Sequence, residues 1–167
     1  MTRLERHLET RLGTDDAFAF IADFGNAMHW DPGVATSEAV SAGPAALGSR
    51  YRLGVRMGSR VVPMEYRITA FEAPNRVVLA GEGSGVTATD EIRFSPSPSG
   101  TGTAIDYVAD IQLGGWMRAI QPLLGKQFDA LARNAVDGMK RTLDARADAA
   151  VAAATDATPA PAAEPKA

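Results

Sequence analysis

The segment GGWMRAIQPLLGKQFDALARNAVDGMKRTLDARADA, residues 114–149, decides the fold because it predicts one long amphipathic helix. At 3.6 residues per turn, its apolar side chains fall on one face: Ile120, Leu124, Phe128, Leu131, Ala135 and Met139. We expect the charged side chains to form the opposite, solvated face: Lys126, Asp129, Arg133, Asp137, Lys140 and Asp144. Pro122 predicts a kink or a short leading turn near Gln121.

The residues before this helix alternate apolar and polar side chains, which is typical of β-strands. The clearest alternation is at Arg50–Met57 and Thr103–Leu113, and weaker strands are predicted at 37–41 and 77–80. A first strand at 4–12 precedes two short helices, the second of which is Ala27–Trp30. The sequence therefore predicts an α+β fold. A curved antiparallel seven-stranded sheet wraps around the long C-terminal helix, with two short helices between strands 1 and 2.

These elements make up one domain, residues 1–149. A chain of 167 residues with 46% hydrophobic content can bury one core. Residues 150–167 are rich in alanine and proline and carry almost no large apolar side chain. Such a segment buries too little surface to offset the entropy of ordering, so it predicts a disordered tail.

Composition excludes several classes of function. A net charge of −3 lacks the basic surface of a nucleic-acid-binding protein. The chain has no cysteine, which excludes disulfides and thiolate chemistry and favours the cytoplasm. Neither a secretory signal nor the roughly 20 apolar residues of a membrane span is present. With only His7 and His29, the sequence predicts no transition-metal site and no cofactor. The heavy use of alanine, glycine, arginine and aspartate suggests a bacterial source.

Asp90 is an unusual residue for the strand in which it lies. It shares the inward face of that strand with four apolar side chains: Val86, Ala88, Ile92 and Phe94. Either the carboxylate is paired, or its pKa is raised, or it lies at an open strand end, or the register is shifted by one residue. A cavity carboxylate with a raised pKa is what general acid–base catalysis requires.

The order of elements and several short motifs resemble a known superfamily. The motifs are FAFIADF at 18–24 followed by WDPGV at 30–34, YRI at 66–68 before Ala73-Pro74, Gly102-Thr103, and Gly114-Gly115 before the helix. Together they are similar to the START-like superfamily, also called Bet v 1-like or SRPBCC, and in particular to its bacterial polyketide cyclase/dehydrase and lipid-transport branch. The resemblance covers about 3–145. It implies a helix-grip fold with a deep, mostly apolar cavity between sheet and helix, in which some members do chemistry and many only bind or carry.

That cavity defines the candidate site residues. The ligand-binding candidates are Trp30, Tyr51, Tyr66, Asp90, Tyr107, Leu124, Phe128 and Leu131. Each tyrosine either holds a ligand oxygen or is a core residue satisfied by the backbone. Trp30 either lines the entry or locks its helix onto the sheet. Asp90 and His29 are the catalytic candidates, and His29 is either a titrating group near the cavity or an ordinary surface histidine.

Three functions are open on this basis. The first is a carrier or sequestering protein, a monomer or weak homodimer, for a lipid, polyketide or aromatic compound. The second is a polyketide cyclase/dehydratase-like enzyme that uses an aspartate, tyrosine or histidine of the cavity for acid–base chemistry. The third is a protein-partner module. An enzyme should show two or more convergent polar side chains in the cavity. A carrier should show an almost wholly apolar lining and an open mouth, and a partner module should show a filled cavity and an exposed apolar patch.

Overall fold

The computed structural model describes residues 1–115 and 117–156. Seven antiparallel strands form one curved sheet in the order β1-β7-β6-β5-β4-β3-β2. The strands are β1 (Thr2–Thr10), β2 (Val34–Ala39), β3 (Arg50–Met57), β4 (Arg60–Glu72), β5 (Arg76–Gly83), β6 (Val86–Pro96) and β7 (Thr103–Leu113). The predicted α+β class and the wrapping of the sheet around a long C-terminal helix are confirmed.

Strand boundaries follow the predicted alternation most closely where two neighbours fix the register. β3 and β7 occupy their predicted ranges. β1 begins earlier than predicted, because Thr2 already pairs with Ile111 of β7. β2 begins at Val34 because a bulge before Thr36 lets it pair with β3 there.

The glycine-rich run 81–85 is mostly strand. Only Ser84 and Gly85 form the turn, while Gly81 and Gly83 pair with β4 and β6. Side chains of β4 occupy the space above both glycines. A Cβ atom on Gly81 would lie 2.5 Å from the ring of Tyr66, and one on Gly83 would lie 2.8 Å from Cγ of Met64. The glycines of β5 therefore make room for large inward side chains of β4.

Two short helices, α1 (Thr14–Ala22) and α2 (Ala27–Trp30), connect β1 to β2, with a 3-10 turn between them at Phe24–Asn26. Phe18 of α1 packs edge-on against Phe71 and Phe94, with ring centroids 5.2 and 5.3 Å apart. Asn26 does not cap α2 with its side chain, which instead donates to the carbonyl of Phe20. These contacts fix α1 over the sheet and place the end of α2 near the core.

The C-terminal region is interrupted where Pro122 predicted it. A short helix, α3 (Met117–Ile120), leads into a 3-10 turn at Gln121–Leu124, and α4 (Gly125–Asp156) follows. The buried side chain of Gln121 accepts from the Leu113 backbone N–H and donates to the Ile111 carbonyl and the Thr2 hydroxyl. The interruption is therefore tied to the ends of β7 and β1.

Helix α4 continues seven residues beyond the predicted end at Ala149. The extension to Asp156 is exposed and alanine-rich, and alanine has the highest helix propensity, so the helix needs no buried contact to continue. The predicted disordered tail is therefore helical over 150–156. The rest of that tail, 157–167, and the side chain of Ile120 lie outside the described residues.

The predicted solvated face of α4 is partly wrong, because three of its charged side chains contact β1. Asp129 pairs with Arg6, Lys140 donates to the carbonyl of Glu9 at 2.6 Å, and Asp144 accepts from the Thr10 hydroxyl at 2.8 Å. The reason is that α4 packs along the edge strand β1 and against α2. On the inner side, the buried residues of α4 are Phe128, Ala132, Ala135, Val136, Gly138, Met139, Leu143 and Ala147.

Candidate functional site

Asp90 lies in the core of the molecule, on the inner face of β6. It pairs with Leu79 of β5 and Ala109 of β7, and only 5% of its surface is exposed. The Tyr107 hydroxyl donates to its Oδ1 at 2.5 Å. Of the structural alternatives open from the sequence, the structure therefore excludes a register shift and an exposed strand end: the carboxylate is buried and hydrogen-bonded.

Tyr66 brings a second phenol toward the same carboxylate. It lies on β4, two strands away from Asp90, and its ring extends across Gly81 of the intervening strand β5. Burial is the largest cause that raises the pKa of Tyr66, and the Asp90 charge raises it further. The Tyr66 hydroxyl itself donates to Sδ of Met64 at 4.0 Å. A residue with a Cβ at position 81 would occupy the space of this ring. The Tyr66 ring can therefore extend toward Asp90 only because residue 81 is glycine.

Asp31 supplies a second carboxylate, which sequence reasoning missed. It follows α2 directly, and its Oδ1 accepts from the Gly33 N–H at 2.7 Å, which closes the turn at the end of the helix. The residue is half-buried, and its charge also raises the pKa values of Asp90, Tyr66 and Tyr107. We refer to Asp31, Tyr66, Asp90 and Tyr107 as the interior acid cluster. The signal in the sequence was Asp31 itself, an acidic residue beside Trp30, but an aspartate at this position also fits a residue that ends a helix.

Burial controls the protonation of this cluster. It is the largest cause that raises the pKa of Asp90 to about 6, with the Tyr107 hydrogen bond acting in the opposite direction. Burial also raises the pKa of Asp31 to about 6, against the hydrogen bond from Gly33. The pKa values of Tyr66 and Tyr107 lie well above their ordinary value, chiefly because of burial and the Asp90 charge. Near neutral pH both phenols are therefore protonated donors, and both carboxylates are close to their titration range.

Trp30 adds an unpaired donor next to the cluster. The residue is 3% exposed, and its ring packs edge-on against Phe24 at 5.8 Å. Within the described part of the chain, the buried indole Nε1 has no hydrogen-bond partner. Buried polar groups in folded proteins nearly always have a partner, so an unpaired one needs an explanation. A Cβ at position 138 would lie 2.1 Å from the Trp30 carbonyl oxygen, so Gly138 serves close approach of α4 to α2.

The other predicted site residues divide between the core and the surface. Tyr51 is buried, and its pKa is raised to about 12 by burial and the Asp23 charge, while hydrogen bonds with Ser49 and the Phe24 backbone lower it. Its polar contacts therefore lie toward the short helices. His29 is exposed and is not part of the interior acid cluster. Phe128 of α4 is buried, while Leu131 of α4 and Leu124 of the preceding turn are half-buried against the core.

Four cavities lined by described residues lie around this interior. The largest of these four, about 570 Å³, opens between the β5–β6 turn and the end of β7, and its lining includes Arg118 and Gln121. A second, about 550 Å³, separates α1 from the end of α4. None of the four is lined by Asp90 or Tyr66. Among the described residues, no His, Asp and Glu side chains group to hold a metal ion. No described helix is both long and apolar enough to cross a bilayer.

Comparisons with known proteins agree with this architecture. Residues 1–159 match the family described as polyketide cyclase / dehydrase and lipid transport. No curated protein matches the sequence. The structure is similar to the Zhui aromatase/cyclase from Streptomyces sp. R1128, with a TM-score of 0.70 and 15% identity over 91% of this chain and 96% of that one. It is also similar to a START superfamily protein from Mycobacterium smegmatis, with a TM-score of 0.68 and 12% identity over 90% and 99% of the two chains. At these identities, the structural matches establish the fold alone.

Proposed function

Because the chain belongs to the polyketide cyclase/dehydrase and lipid-transport family of the START-like superfamily, we propose that it binds a mostly apolar small molecule between the sheet and α4. The ligand's polar end contacts the interior acid cluster and the Trp30 indole. The observation that carries this proposal is a set of buried polar groups with few partners. Among the described residues, the Asp90 carboxylate accepts from the Tyr107 phenol, and the Trp30 N–H has no partner.

Burial of such groups is costly unless something pairs with them. An unsatisfied buried donor or acceptor costs about 1–3 kcal/mol, and a charged one costs more. Ligand sites are typically apolar walls with a few convergent polar groups that fix orientation. The surroundings of the cluster fit that description, since the inner faces of β4 to β7 and of α4 are otherwise lined by apolar residues. A ligand that hydrogen-bonds to the cluster recovers part of the cost.

A neutral hydrophobic dye tests the binding proposal directly. We expect N-phenyl-1-naphthylamine to bind saturably, with one molecule per chain, and to be displaced by an apolar molecule extracted from the protein as purified. Native mass spectrometry before and after extraction identifies that molecule. Trp30→Phe keeps the aromatic packing and removes the N–H, so it should weaken binding of the extracted ligand more than binding of the dye. Absence of both a co-purifying apolar molecule and saturable dye binding would overturn the proposal.

The second candidate is an enzyme of the aromatase/cyclase kind, the activity for which the Zhui protein is named. A specific observation favours it: a buried carboxylate with a pKa of about 6 faces two protonated phenols. Asp90 as general base can take a proton from a carbon next to a carbonyl, while Tyr66 or Tyr107 donates a hydrogen bond to the resulting enolate. Return of the proton from solvent completes an exchange cycle.

Deuterium exchange separates the enzyme from the carrier. In D₂O, an enolisable ketone such as 2-tetralone should gain deuterium beside its carbonyl faster with the wild type than with Asp90→Asn. Asp137→Asn, which removes an exposed carboxylate from α4, is the matched control and should exchange like the wild type. Binding of the ketone without accelerated exchange would rule out the enzyme and leave the carrier. The third hypothesis, a partner module, has less support, because the exposed large apolar residues of the described part of the chain are spread over several elements: Met1, Met28, Val40, Leu47, Val61 and Val151.

A further inference from the structure

The charge of the interior acid cluster restricts which ligand it accepts. Asp90 is buried in the core and Asp31 is half-buried at the end of α2. Neither forms a salt bridge with a lysine, arginine or histidine of the described chain. Their described hydrogen bonds come from a phenol and a backbone N–H instead. The site therefore holds two acids and no base, which is the reverse of a site built for a carboxylate ligand.

The nearest inward cation in the sheet does not correct this imbalance. Arg6 lies opposite Tyr107 in the β1–β7 register, on the inner side of the edge strand. Its guanidinium is paired with Asp129 of α4, and Asp129 is also paired with Arg133. Asp110 of β7 lies near enough to raise the pKa of Asp90 further, and it is paired with Arg3. The charged neighbours of the cluster are thus either acidic or already paired with an acid.

We propose that the ligand meets the interior acid cluster with a hydrogen-bond donor, a hydroxyl, phenol or amine, and that molecules ending in a carboxylate, such as fatty acids, are rejected. This inference rests on the proposed binding function and narrows its ligand class. A donor hydroxyl can give its hydrogen to Asp90 or Asp31 and accept from the Trp30 N–H or a tyrosine hydroxyl. A carboxylate in the same place has no hydrogen to give and adds a third negative charge.

A matched set of probes tests the proposal by isothermal titration calorimetry: 2-naphthol, 2-naphthoate and 2-naphthylmethylamine. They share one apolar skeleton and differ in the polar end. At neutral pH, we expect the wild type to bind 2-naphthol at least about ten-fold more tightly than 2-naphthoate, because the naphthoate brings a like charge against the acids of the cluster. Comparison of the naphthol with the amine shows whether the cluster prefers a neutral or a cationic donor; either result supports the proposal.

Neutral variants locate the cause of the discrimination. In the double variant Asp31→Asn with Asp90→Asn, the naphthol-to-naphthoate ratio should fall to about three-fold or less, since the repulsion is removed. Asp137→Asn, the exposed control on α4, should leave the ratio unchanged. Unaltered circular dichroism and dye binding establish that each variant folds. A ratio that stays above ten-fold in the folded double variant would overturn the proposal.

The wild type provides a test that requires no substitution. Between about pH 8 and about pH 5 the cluster takes up protons while naphthoate stays ionised, so the ratio should shrink toward one as the pH falls. Tight naphthoate binding by the wild type at pH 8 would overturn the donor-only inference and leave the binding function intact. Absence of binding by all three probes and by the neutral dye would instead overturn the binding function, and this inference with it.

Discussion

Replacement of Asp90 by asparagine should remove a pH-dependent loss of stability. The pKa of Asp90 is about 6 in the folded protein, compared with an ordinary value of 3.8. Because the folded state holds this proton more tightly than the unfolded chain, folding is favoured at low pH. The stability falls as the pH rises from about 4 to about 6 and then stays level. A shift of about two pH units corresponds to about 3 kcal/mol of unfolding free energy.

Urea titrations followed by circular dichroism, at half-unit steps between pH 4 and pH 8, measure this effect. Asparagine has nearly the same shape and keeps an oxygen that accepts from the Tyr107 hydroxyl, so the Asp90→Asn variant should fold and lose only the titration. We expect its stability curve to rise above that of the wild type by about 2–3 kcal/mol between pH 4 and pH 7. The stability curve of the control variant Asp137→Asn, changed at an exposed position, should run parallel to that of the wild type.

Parallel curves for the wild type and Asp90→Asn would refute the reasoning, since they would mean that Asp90 titrates alike in the folded and unfolded chains. Tyr107→Phe provides an independent check in the opposite direction. Its hydroxyl donates to Asp90 and lowers the pKa of that carboxyl. Removal of the hydroxyl should therefore raise the pKa of Asp90 and make the loss of stability with pH steeper. A carboxyl-carbon NMR titration reads the same pKa directly.

Three substitutions test the packing and hydrogen bonding around the site. Gly138→Ala should destabilise the protein by about 2 kcal/mol despite the better helix propensity of alanine, because its Cβ would meet the Trp30 carbonyl. Gly125→Ala has open space at its Cβ and should not destabilise the protein. Equal melting temperatures of the two variants would contradict this packing argument. Gln121→Ala removes three hydrogen bonds that fix the interruption between α3 and α4, so it should lower the free energy of unfolding by about 2 kcal/mol. Amide hydrogen exchange at the end of β7 should become faster. Exchange at the wild-type rate would argue against the role of Gln121 in fixing the interruption. Thr103→Val should cost about 1 kcal/mol in urea unfolding, because a buried hydroxyl donor is lost, and Thr69→Val, an exposed position, is its control.

The strands were predictable from the sequence wherever one face of the sheet is buried and the other is exposed to solvent. β3 and β7 alternate cleanly over their whole length and lie inside the sheet, so pattern and structure share the same boundaries. Asp90 stood out as a charge on an apolar face, but the pattern left open whether it is buried or lies at an exposed strand end, and only the structure shows that it is buried. The long helix and its interruption near Gln121 followed from periodicity and one proline.

The missed features all depend on partners that are distant in sequence. Arg6 occupies an inward position in β1, but its role became visible only when α4 brought Asp129 against it. Asp31 fits the pattern of a helix terminator, and it does close that turn. Its second role, as a charge beside Asp90, depends on where α2 packs over the sheet. Local patterns do not encode such distances, so the composition of the acid cluster could not be derived from the strands alone.

The pairing of β1 with β7 has a consequence for synthesis of the chain. Arg3 and Asp110, joined side chain to side chain, are 107 positions apart. β1 therefore leaves the ribosome before the other six strands, but it has no neighbouring strand until β7 has emerged. Assembly that waits for such a distant partner is slow, and its unpaired strands stay open to aggregation meanwhile. Helix α4, which is translated after all seven strands, then docks on β1, so the nascent domain closes its fold only after α4 has emerged.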